Sequence, residues 1–236
     1  MKKLFTVVLV ILILSSLCGC RQNAPEEKET VSYETMKTAY SKEGIEEFLA
    51  LLKEWEPGNL TSGYSHDETH CYNVTPIQVA VETSMRIFKF SDSCESFVML
   101  DNEIYPLCVS FGGYGFVNAV PCDFDEDGNE DLLVASSWGS GMHRSVISLF
   151  HSDSKTSTIL YDTSTTDTPG VDLIVNATTP SFSSKEMEDL PIYYEVYTVR
   201  IETSSDNMAD LSYLVTGVAG SIKVLEDVPT FVPYAE

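Results

Sequence analysis

Phe116-Val117-Asn118-Ala119-Val120-Pro121-Cys122-Asp123-Phe124-Asp125-Glu126-Asp127-Gly128-Asn129-Glu130-Asp131-Leu132-Leu133-Val134-Ala135-Ser136 is where the fold is easiest to read. Two apolar runs, Phe116–Val120 and Leu132–Ser136, flank a loop in which six of nine residues are acidic. Runs this short, rich in Val, Leu and Phe and bounded by Pro and Gly, have the length of strands rather than helices. The segment predicts a β-hairpin with an acidic connection, and Gly128 permits the sharp bend.

Downstream the same pattern continues. Runs at Ser145–Phe150, Ser157–Tyr161, Val171–Val175, Tyr193–Glu202 and Leu211–Leu225 predict further strands, as do Phe97–Leu100 and Leu107–Phe111 upstream. Asp101-Asn102 and Asp153-Ser154 read as hairpin turns. Before residue 97 the periodicity is helical. Ile45, Phe48, Leu49, Leu52 and Trp55 fall on one face of a helix that Ser41 caps, Tyr40 staples and Pro57-Gly58 ends. Thr75-Pro76-Ile77-Gln78 gives a second start signal, for a helix from Pro76 to about Lys89, although Ile77, Val79 and Val81 also alternate as in a strand. The expected class is α+β: one or two N-terminal helices, then a mainly antiparallel β-rich domain over 41–236.

The loop carries the clearest chemistry. Asp123, Asp125 and Asp127 alternate, Asn129 offers a backbone carbonyl at position seven, and Asp131 stands at position nine. Such a spacing gathers oxygens around one hard cation, and calcium takes six to eight of them. Like charges this dense are unfavourable without a counter-ion. The alternative is an acidic turn held by Asx hydrogen bonds. An EF-hand is excluded, because position twelve is Val134 and a strand follows the loop. The segment resembles the D-x-D-x-D-G-x-x-D loops of integrin-type FG-GAP and VCBS repeats. That resemblance implies a propeller-blade-like hairpin pinned by structural calcium. It covers this hairpin alone, and the chain is too short for a full propeller.

Lys2 and Lys3 precede an apolar run from Leu4 to Leu14, the pattern of a secretory signal and too short for a permanent membrane span. Leu17-Cys18-Gly19-Cys20 resembles the lipobox of bacterial lipoproteins. The resemblance implies cleavage after residue 19, diacylation of Cys20 and a protein tethered to the cell membrane, facing outside the cytoplasm. Residues 20–40, polar and rich in Glu, Lys and Thr, read as a flexible tether. Four further cysteines, Cys71, Cys94, Cys108 and Cys122, allow either two disulfides or free thiols.

The formal net charge of −22 argues against nucleic acid as a partner. Trp138-Gly139-Ser140-Gly141-Met142-His143 lacks the spacing of a nucleophile elbow, but Trp138 and His143 are candidates to line a ligand patch. His66-Asp67-Glu68-Thr69-His70 fails both zinc-protease spacings, since Asp67 and Thr69 stand where Glu is required. The leading expectation is a calcium-clamped interaction module that contacts an envelope protein or a glycan. The alternative is an envelope hydrolase using His143 or a His66/His70 metal site.

Overall fold

Leu132, Leu133, Val134 and Ala135 are all fully buried. Consecutive strand residues point to opposite faces, so this run requires apolar cover on both sides. The structure, a computed structural model, describes residues 35–55, 60–108, 112–165, 170–178, 193–204 and 206–234. The expected signal peptide, Cys20, most of the tether and the Pro57-Gly58 stop lie outside the described residues.

Three antiparallel sheets follow one another along the chain, except that the first strand joins the third sheet. The first comprises β2 (Cys71–Asn73), β3 (Arg86–Phe90), β4 (Ser96–Leu100) and β5 (Glu103–Cys108). The second is the meander β6 (Gly115–Cys122), β7 (Asp131–Trp138), β8 (Arg144–His151) and β9 (Thr156–Asp162). In the third, β10 (Asp172–Thr178), β11 (Tyr193–Ser204) and β12 (Asn207–Leu225) pair in order, and both β1 (Thr35–Lys37) and β13 (Val228–Pro233) join β12.

The middle sheet is the filling. Leu132, Val134 and Phe150 pack with Ile87, Val98 and Leu107 of the first sheet, whereas Leu133, Ala135, Ile147 and Leu149 pack with Leu173, Val175 and Val196 of the third. On the outer face of the first sheet lies the helix α1 (Ile45–Glu54). Its Ile45, Phe48 and Leu52 meet Phe88, Phe90 and Phe97, and Phe48 stacks on Phe88 at 4.4 Å.

The α+β expectation is corrected. The described residues are 57% strand and 11% helix, so this is a β-rich domain in which the two helices are minor. The second helix, α2, spans only Ile77–Glu82, and the rest of the expected Pro76–Lys89 helix is loop and the strand β3. The physical reason is in β3. Ile87 faces the middle sheet and Phe88 faces α1, and a strand places adjacent residues on opposite faces where a helix cannot. Nor does the capping box form. Thr75 Oγ1 bonds to Asn73 Oδ1 at 2.6 Å and accepts the Ile87 N–H at 2.8 Å.

The first helix starts at Ile45 after a left-handed Gly44, because Ser41 pairs its backbone with Asn73. Tyr40 stands edge-on to Tyr72. The tether expected to reach residue 40 is also shorter, since Thr35–Lys37 is a strand and Thr38 N–H bonds to Leu211 O. No helix among the described residues is long and apolar enough to cross a membrane.

Candidate functional site

The acidic loop closes the β6–β7 hairpin, whose register runs from Gly115↔Ser137 to Cys122↔Asp131. Within it, one carboxylate oxygen each of Asp123, Asp125 and Asp127 lies within 4.8 Å of the others. No other such group of His, Cys, Asp or Glu ligands occurs among the described residues. The loop is folded by its own backbone donors. Asp127 N–H reaches Asp123 Oδ1 at 3.1 Å, Gly128 N–H reaches Asp123 Oδ2 at 3.1 Å, and Asn129 N–H reaches Asp127 Oδ1 at 2.7 Å. These Asx bonds and a central cation are compatible, because each carboxylate oxygen has more than one lone pair. Hydrogen bonds from the Asn129 side chain and backbone hold the Asp127 carboxyl below its ordinary value. Gly128, at φ 84°, supplies the bend.

Asp131 is not brought into this group. It is buried, accepts the Ser152 N–H at 2.7 Å and lies 3.3 Å from His151 Nδ1, so it staples the β8–β9 turn to β7. Burial pushes its carboxyl up, and the Ser152 and His151 contacts only partly offset this. Three aspartates remain that could hold a divalent ion, with water filling the other positions.

The turn after β7 places Trp138 and His143 near its two ends. The Arg144 guanidinium sits 5.2 Å from the Trp138 ring centre, and His143 meets Tyr114 edge-on at 4.6 Å. His143 Nδ1 lies 3.8 Å from Asp172 Oδ2, while Ser137 Oγ donates to Asp172 Oδ1 at 2.9 Å. Burial raises the Asp172 carboxyl, against the lowering contacts of Ser137 and His143. The serine is therefore bonded to the carboxylate rather than to the imidazole. A nucleophile relay needs it on the imidazole's other nitrogen.

His66 and His70 do not converge. His66 Nε2 pairs with the buried Glu95 and its ring stands against Phe90. His70 Nδ1 lies 2.8 Å from Asp67 Oδ1, and its Nε2 3.4 Å from Asp92. All four described cysteines are free thiols. Burial pushes Cys71 and Cys108 up to about 12, which makes them poor nucleophiles.

Two groups escape any sequence pattern. Lys89 is fully buried between the sheets, and its ammonium donates to Phe116 O at 3.2 Å and Met208 O at 2.7 Å. Glu82 and Tyr194 come from distant elements to flank the acidic loop. Compared with protein-family models, curated proteins and solved structures, the chain matches none.

Proposed function

We propose that this chain is a lipid-anchored extracytoplasmic lipoprotein whose β-rich domain is an interaction module clamped by calcium. The convergence of Asp123, Asp125 and Asp127 oxygens within 4.8 Å carries the calcium assignment. The Lys2–Cys20 segment supports the anchor. Diacylated Cys20 holds the protein to the cell membrane, and the partner is an envelope protein or a glycan.

Calcium that binds only the folded loop stabilises the domain by mass action, by about 2.7 kcal/mol when its concentration is about a hundred times the dissociation constant. The test is thermal unfolding in EDTA and then in millimolar calcium, with magnesium as control. A calcium-specific rise in midpoint is expected, and Asp125→Ala, at an exposed position, should erase it. An unchanged calcium response in that variant would refute the assignment. Independently, Cys20→Ser should release the protein from the membrane fraction; retention there would refute the anchor.

A further inference from the structure

Beside the acidic loop a cleft of about 670 Å³ opens, bounded by α2 and by segments of β11 and β12. This is the volume of a small-molecule site. Its lining combines two kinds of surface. Phe124, Tyr194 and Ile222 offer an apolar face, with the two rings 5.1 Å apart and inclined at 58°. Around it stand Glu82 from α2 and Asp123, Glu126 and Glu130 from the acidic loop, with Lys223 the one cation of the lining.

None of these four carboxylates has an ion-pair partner among the described residues. Charges drawn from segments about 40 residues apart in sequence and left uncompensated favour a cationic occupant.

Three observations narrow its chemistry. Glu82 and Glu130 belong to no group of carboxylates close enough to share one metal ion, so their spacing suits charges strung along a chain. The aromatic lining favours contact with methylenes and with ammonium groups. β12 offers an extended peptide no free edge, because Ile222 is paired to Tyr194 on one side and Phe231 on the other.

We propose that this cleft binds an aliphatic polyamine. Its methylene chain lies on Phe124, Tyr194 and Ile222, and its ammonium groups pair with Glu82, Glu126 and Glu130. The assignment goes beyond the proposed function by adding a small-molecule ligand and does not depend on calcium, since Glu82 and Glu130 stand outside the aspartate triad.

Isothermal titration of the full chain with spermidine, in EDTA and at low salt, tests it. Saturable one-to-one binding is expected, weakened by added salt. Glu82→Gln combined with Glu130→Gln should weaken it at least about tenfold, with the unfolding midpoint in EDTA and the calcium response both retained. Asp125→Ala should do the reverse, losing the calcium response and keeping spermidine. Non-saturating heats, or equal affinity in the double variant, would reduce the effect to a diffuse acidic surface and overturn the proposal. So would displacement of spermidine by magnesium at matched ionic strength. A tri-lysine peptide or a neutral oligosaccharide that bound more tightly than spermidine would overturn it in favour of a protein or glycan partner.

Discussion

Raising the pH above neutrality should stabilise the domain through a single side chain. Lys89 is completely enclosed, with two backbone carbonyls and, among the described residues, no carboxylate against its ammonium. Burial holds its pKa down to about 8 from the ordinary 10.5, and nearby Cys94 and Cys108 offset this only in part. In the unfolded chain the same amine keeps its proton until about 10.5.

Below about pH 8 both states carry the charge and the folded state bears the full cost of burying it. Between the two values the unfolded chain binds more protons than the folded one, so stability rises with pH. The gap between 10.5 and about 8 corresponds to about 3 kcal/mol in all, and to about 1.4 kcal/mol by about pH 9. The buried thiols act in the opposite sense. Burial raises them from the ordinary 9.0, Cys71 and Cys108 to about 12, so the stability they contribute is lost above pH 9.0.

Lys89→Met separates the two effects, since it keeps the volume and removes the titrating group. It also leaves the carbonyls of Phe116 and Met208 without their donor, at about 1 kcal/mol each, so the two proteins should differ little near neutrality. Urea unfolding at a series of pH values measures the difference. The stability of Lys89→Met relative to the parent should fall steadily as the pH rises from about 8 to about 10. Parallel pH profiles for the two proteins would refute the buried, charged lysine.

Two further substitutions bear on the backbone and on acid stability. Gly115 and Gly128 both have positive φ, but a Cβ at Gly115 would meet Cys94 O at 2.1 Å, while one at Gly128 meets nothing within 4 Å. Gly128→Ala should therefore cost about 1 kcal/mol in a denaturant titration, and Gly115→Ala clearly more. Equal losses would show that the β6–Cys94 contact is not as close as described. For Glu95, burial alone would raise the carboxyl, but bonds from His66, Ser93 and Thr61 together hold it below the ordinary 4.5. Its contribution is present above that value and lost as the pH falls through the folded one. Glu95→Gln should accordingly be less stable near neutrality and show a shallower loss of stability below pH 4.5 when unfolding is followed by circular dichroism.

The legible parts of this fold are those fixed by local periodicity. The Ile45, Phe48, Leu52 face is read directly from a 3.6-residue repeat and is the face that the structure buries. The strand runs from Phe97 onward are legible because their length and turn residues are local too. The segment around Lys89 is not. Its neighbours Ile87 and Phe88 answer to different layers, and the acceptors of its ammonium lie 27 and 119 residues away. A lysine is ordinarily exposed, so no pattern in the sequence marks this one as interior.

The acidic loop divides in the same way. Asp123, Asp125 and Asp127 converge through hydrogen bonds spanning at most five residues, and their grouping follows from their spacing. Asp131 fits the spacing equally well, but Ser152, 21 residues on, captures its carboxylate. The pairing of Asp172 with Ser137 spans 35 residues and has no local trace.

The middle sheet has a consequence for the chain before it folds. Leu132-Leu133-Val134-Ala135, apolar toward both faces, is the kind of segment that self-associates whenever it is exposed in an unfolded or newly synthesised chain. Six carboxylates within the nine residues directly ahead of it form an electrostatic guard against parallel, in-register stacking, which would bring the charges of two such segments together. The loop thus favours solubility during folding independently of any ion binding.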